Sequence, residues 1–107
     1  MSSRAKALHL DLNNPEFQQQ LFALEKDAQR SILVTLAKLS KMTWEAVYRD
    51  AGLKWEALVS RVGPQGGRLY SLRMGKGFRA VAYRQENWLR ILTLHPDSPS
   101  PPGRGKG

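Results

Sequence analysis

Residues 68–84 read RLYSLRMGKGFRAVAYR. Two runs with apolar and polar residues in alternation flank Gly75-Lys76-Gly77, the pattern of two strands joined by a tight turn. The stretch carries four arginines, one lysine and no acid. Like charges set opposite one another weaken a sheet, so the crowding calls for a reason. Two registers are open. A three-residue Gly75-Lys76-Gly77 loop sets Met74 opposite Phe78 and Arg73 opposite Arg79, with both guanidiniums on one face and Gly77 in the left-handed position. A two-residue Gly75-Lys76 loop sets Arg73 opposite Phe78 and sends the arginines to opposite faces. Only the first register needs an anion or a wide solvent cleft to relieve repulsion.

The same period continues outward. Gln85-Glu86-Asn87 reads as a turn and Trp88–Leu94 as the last strand, closed by His95 and ended by Pro96. In that strand His95 is expected to alternate with Thr93 and Ile91. Upstream, Trp55, Ala57 and Val59 alternate with Glu56 and Ser60, and Gly63–Gly67 is a loop. At the other end, Leu8, Leu10 and Leu12 share one face of a short strand, with His9 on the other.

Between these segments the period changes to that of a helix. Asn14 is a cap, Pro15 suits the first helical position and Glu16 suits the positive end of the helix dipole. Phe17, Leu21, Leu24, Ala28, Ile32, Leu36 and Leu39 then recur at helical spacing, which predicts one helix from about Pro15 to Ser40. Thr43 starts a second helix with Trp44, Val47 and Tyr48 on its apolar side, and Gly52 is its stop signal. The expected class is α+β: an N-terminal strand, a two-helix hairpin, then a three- to four-stranded antiparallel sheet with the helices on one face.

The chain has 107 residues, the length of one domain with a modest core. That domain is expected to span 1–95. Residues 96–107, PDSPSPPGRGKG, read as a disordered basic tail rich in Pro and Gly. Without cysteine, neither disulfides nor thiolate metal sites are available, and His9 and His95 with few acids nearby make a poor metal set. The expectation is no cofactor and no metal. No apolar run approaches the ~18 residues of a membrane span, and the N-terminus lacks a secretory core. A cytoplasmic protein with no membrane association is therefore expected.

Charge is distributed unevenly. The net charge is +8, but residues 1–60 carry eight Lys and Arg against seven Asp and Glu, whereas 61–107 carry nine against two. Such asymmetry favours a polyanionic partner, nucleic acid first. Paired guanidiniums suit a phosphate, because each offers a planar fork of donors that stays charged. A phosphodiester under attack gains charge on its non-bridging oxygens, and fixed cations aimed there stabilise the transition state. Arg73 and Arg79 are accordingly the leading candidates. His95 adds a group able to exchange protons near neutrality. Lys54, Lys76, Tyr83 and Arg84 are candidate RNA contacts, with Glu56 a candidate proton acceptor beside Lys54. Each of these also has an ordinary reading as a surface or packing residue. Walker, dinucleotide-binding, nucleophile-elbow and zinc motifs are all lacking.

Leu69-Tyr-Ser-Leu-Arg73, a short turn, Phe78-Arg79-Ala-Val-Ala-Tyr83 and a final apolar strand resemble the signature of RelE/ParE-superfamily toxins, the toxin halves of bacterial type II toxin–antitoxin pairs. Leu94-His95-Pro96-Asp97 and Ala51-Gly-Leu-Lys-Trp-Glu56 are similar to the mRNA-interferase members with a His-Pro-Asp ending. The resemblance spans about residues 7–97 in element order, and its specific residues fall within 51–97. It implies a compact α+β fold and metal-independent endoribonuclease action on mRNA at the ribosome, inhibiting translation until a cognate antitoxin binds. It also implies that Arg73 and Arg79 hold the phosphate, that His95 stands near the terminal acid or base, and that Lys54 or Glu56 lies near a further catalytic position. Many nucleases of this group carry another His, Arg or Tyr after the last strand; here Asp97-Ser-Pro follows. Two alternatives remain beside the nuclease: a gyrase-poisoning ParE-like binding protein, and an inactive relative.

Overall fold

The computed structural model describes residues 6–63 and 66–97, without side-chain detail at 60 and 61. Its elements are β1 (His9–Asp11), α1 (Pro15–Phe22), α2 (Lys26–Leu39), α3 (Trp44–Arg49), β2 (Glu56–Val62), β3 (Arg68–Arg73), β4 (Phe78–Gln85) and β5 (Trp88–Pro96). The strands form one five-stranded sheet in the order β1-β5-β4-β3-β2. The α+β class is as expected. However, the sheet has five strands and is mixed, because β1 lies parallel to β5, with His9, Leu10 and Asp11 opposite Trp88, Leu89 and Arg90.

Both helix starts form as their residues dictate. The Asn14 side chain accepts from the Glu16 N–H with Pro15 just inside the helix, and the Thr43 hydroxyl accepts from the Ala46 N–H. The single helix expected from Pro15 to Ser40 is instead two. Glu25 takes an extended backbone at φ −65°, ψ 160° and starts α2 anew. No Gly or Pro marks the break. Gln29, from the first turn of α2, donates to the carbonyls of Leu21 (3.0 Å) and Phe22 (3.2 Å), filling acceptors that the end of α1 leaves open. The expected stop at Gly52 also shifts. Helix α3 ends at Arg49, and Asp50 turns the chain out at φ −78°, ψ 107°. Its carboxylate accepts from the Leu53 N–H at 3.0 Å and pairs with Lys38 at 2.8 Å.

One face of the sheet is buried under the helices. Phe17, Ile32, Leu39 and Val47 pack there with Leu72, Met74, Leu89 and Ile91, all less than 2% exposed. Helix α1 also covers the edge of β5 beyond its short pairing with β1: the Gln20 side chain accepts from the Leu94 N–H at 2.7 Å.

Strand β5 holds a β-bulge. Val81 faces Thr93 while Ala82 faces Ile91, leaving Leu92 unpaired. One extra residue reverses the facing of everything on one side of it. Ile91 therefore enters the core, contrary to the expectation that it shares a face with Thr93 and His95. Pro96 does not end the ladder, since it lies opposite Phe78 and the Asp97 N–H still donates to the Gly77 carbonyl at 2.7 Å. Pro96 and Asp97 thus belong with the sheet, and the rest of the expected tail, 98–107, lies outside the described residues. The same holds for Pro64 and Gln65 of the expected loop.

Candidate active site on the open face of the sheet

The turn decides the site. Arg73 stands opposite Arg79, and the Met74 N–H donates to the Phe78 carbonyl at 2.9 Å, so the loop has three residues. Gly75 and Gly77 both take left-handed backbones, φ +71° and +82°, which glycine adopts without strain. The turn is docked on α2: the Gly75 N–H donates to the Thr35 hydroxyl (3.0 Å) and the Lys76 N–H to the Ser31 hydroxyl (3.2 Å).

Across the next ladder Arg79 faces His95. Directly opposed residues share a sheet face, so Arg73, Arg79 and His95 form a row across β3, β4 and β5 on the face away from the helices. Ser71 and Thr93 lie one step along on the same face, as Ser71↔Val81 and Val81↔Thr93 pairs require. Glu56 joins them as the partner of Ser71.

Arg79 is the fixed member, its side chain 20% exposed. One nitrogen, Nη2, donates to the Ser71 hydroxyl (2.6 Å) and the Lys54 carbonyl (3.3 Å) and pairs with Glu56 at 3.5 Å. Its Nε and Nη1 have no protein partner among the described residues, which leaves donors aimed from an anchored guanidinium. Arg73 is looser. Its side chain is 44% exposed, and it meets Asp97 at 3.8 Å, an ion pair longer than a hydrogen bond. His95 is exposed, and its Nε2 lies 2.8 Å from the Thr93 hydroxyl. The repulsion built into the hairpin is thus met by two carboxylates, Glu56 on β2 and Asp97 just past β5, each reached across one intervening strand.

The other expected RNA contacts are scattered. Lys54 is exposed beside the row and takes a left-handed backbone at φ +50°, the conformation that delivers its carbonyl to Arg79. Tyr83 is half-buried on the same face as Arg79, farther along β4 opposite Arg90. Lys76 is exposed at the turn tip, beside α2. Arg84 is not brought to the row. It faces the helix side, with its guanidinium 4.6 Å above the Trp44 ring and bonded to the Tyr48 hydroxyl at 2.7 Å. Ser71 and Thr93 were missed in the sequence, although each sits two residues from a row member, the spacing that puts it on the same strand face.

Among the described residues no cluster of three or more His, Asp or Glu side chains could hold a metal ion, and no helix is long and apolar enough to cross a membrane.

No family model matches the sequence, and no curated protein does. Solved structures do match. A chain of the archaeal RelE–RelB complex from Pyrococcus horikoshii OT3 superposes with a TM-score of 0.63 at 21% identity, covering 89% of this chain and 100% of that one. A copper-bound mutant toxin from Helicobacter pylori reaches a TM-score of 0.45 at 17% identity over 83% of this chain and 93% of its own. The fold of this protein is RelE-like.

Proposed function

We propose that this chain is the toxin of a toxin–antitoxin pair and acts as a metal-independent endoribonuclease on mRNA at the ribosome. The row Arg73–Arg79–His95 on the uncovered sheet face carries the reading, and the RelE-like fold accords with it.

In this reading an RNA strand lies across the open face with one phosphate on the row. Its 2′-hydroxyl attacks the adjacent phosphorus, the bond to the 5′-oxygen breaks, and a 2′,3′-cyclic phosphate and a 5′-hydroxyl result. Charge grows on the non-bridging oxygens, where the free Nε and Nη1 of Arg79 supply donors that need no reorganisation. Arg73 adds a second, mobile cation. Glu56 and His95 flank Arg79 on opposite sides, which suits one to take the 2′-proton and the other to give a proton to the leaving oxygen. Lys54 and Lys76 enlarge the positive rim for neighbouring phosphates.

A protein inhibitor fits the same chemistry. Glu56 and Asp97 already place carboxylates on the two arginines, so an acidic antitoxin segment would use contacts of the same kind. Its affinity should fall as salt is added.

The test is cleavage of mRNA in a translating-ribosome assay. Wild-type protein should cut, and Arg79→Ala should not. Equal activity of the two, with both folded, would reject the reading; so would a salt-independent affinity for an antitoxin that leaves Arg73 and Arg79 uncovered.

A further inference from the structure

A polar pocket of about 480 Å³ opens on the same sheet face, farther along β4 and β5 from the row. Tyr83, Arg90, Leu92, Asp11 and Asn13 line it. The bulge at Leu92 builds it. Were the alternation unbroken through Leu92, Arg90 would turn to the core side; with Leu92 bulged, Arg90 stands opposite Tyr83 on the open face.

Its charges cancel. The Arg90 guanidinium is bonded to the Asp11 carboxylate and donates from Nε to the Gln85 side chain at 2.6 Å. Asp11 also accepts from the Asn13 N–H at 3.0 Å. A site neutralised within itself has little use for a second phosphate. It does offer what an unstacked base needs: an aromatic face, the plane of a guanidinium held in place, and amide and phenol groups for a polar edge. The Tyr83 hydroxyl has no partner among the described residues. From Arg79 to Tyr83 is four residues of strand, roughly 13 Å, a distance that a short run of RNA leaving the row can cover.

We infer that the Tyr83–Arg90 pocket is a nucleobase subsite, which receives an unpaired base near the cut and sets the sequence preference of the enzyme. This rests on the RNA-cleaving reading of the row. Arg73, Arg79 and His95 hold the phosphate, and the pocket reads a neighbouring base against Tyr83.

Two measurements keep the inference separate from its parent. The first is an NMR titration of the whole chain with an uncleavable, 2′-fluoro-substituted single-stranded hexanucleotide, which needs no catalysis. Shifts at the amides of Tyr83, Arg90 and Leu92, together with those at Arg79, are expected. Shifts at the row that leave these three amides unmoved would overturn the subsite, and shifts there only with an acidic peptide would assign the pocket to a protein partner instead. The second maps RNA ends after cleavage on ribosomes. Wild type should favour one base class at a fixed position beside the cut, and Tyr83→Ala should weaken that enrichment at least about fivefold, from the stacking lost, whatever it does to the total rate. Cleavage with the preference intact in Tyr83→Ala would overturn the subsite while leaving the row's role standing. Absence of cleavage in wild type would instead count against the parent reading, and the titration would still decide the pocket.

Discussion

Arg73 and Arg79 face each other across the β3–β4 ladder, yet each guanidinium reaches its acid on a different strand: Arg73 meets Asp97 at the end of β5, and Arg79 meets Glu56 on β2. Two like charges are tolerated side by side because two carboxylates divide them. The pairs are long, 3.8 and 3.5 Å, and partly exposed, so each is worth little to stability. Both arginines therefore remain available to a better anion.

Arg79→Ala should lower mRNA cleavage at least about 100-fold, the scale of losing a preorganised donor to a developing oxyanion. Arg79→Lys should recover only part of that, since an ammonium cannot keep the Ser71 contact and still present two further donors in a plane. Thermal unfolding of both variants would check that the loss is not one of folding.

The turn separates two glycines that look equivalent in sequence. A Cβ on Gly75 would lie 2.7 Å from the Ser31 hydroxyl and 2.9 Å from the Ile32 backbone nitrogen, whereas one on Gly77 would meet nothing within 4 Å. Both residues have positive φ. Gly77→Ala should therefore cost about 1–2 kcal/mol from backbone strain alone. Gly75→Ala should cost about 2–4 kcal/mol, since overpacking against α2 adds to it. Urea unfolding of the two variants measures the difference, and equal losses would contradict the docking of the turn.

Acid should loosen the junction of α2 and α3. The Lys38 hydrogen bond, aided by the Leu53 N–H, holds the Asp50 carboxyl below its ordinary range. A folded-state value below the unfolded one gives stability that is complete above the unfolded value, about 3.9, and is lost as pH falls through the lower folded one. Asp11, held low by the Asn13 backbone N–H and by Arg90, contributes with the same sign. Asp50→Asn should be less stable than wild type by about 1 kcal/mol at pH 6, and the gap should shrink toward pH 2–3. Chemical unfolding across that range checks it.

Arg84 belongs to the aromatic cluster of Trp44, Tyr48, Trp55 and Tyr70, where Trp55 stacks on Tyr70 at 4.6 Å. Arg84→Ala should cost about 1 kcal/mol through the lost cation–π contact and should change the fluorescence of the buried Trp44. Loss of RNA cleavage without any loss of stability would return Arg84 to the binding surface.

Local chemistry made much of this legible. The caps at Asn14 and Thr43, the alternation along β3 and β4 and the glycine turn all rest on contacts within a few residues, so the α+β class and the crowding of positive charge on the hairpin could be read directly, while the facing of Arg73 and Arg79 stayed open. The helix break at Glu25 carries no Gly or Pro and depends on Gln29 reaching back to α1. Arg84 alternates like any strand residue, and only the position of Trp44 on α3 shows what it touches.

Residue patterns along the chain specified the strands, the caps and a hairpin with two permitted registers. Tertiary structure chose between those registers, because the turn's N–H groups bond Thr35 and Ser31, 40 and 45 residues away. It also laid β1 parallel to β5 and bulged Leu92 outward, so that Ile91 fills the core while Arg90 joins Tyr83. Each of these choices is an agreement between segments distant in the chain, and no local pattern of residues encodes such an agreement.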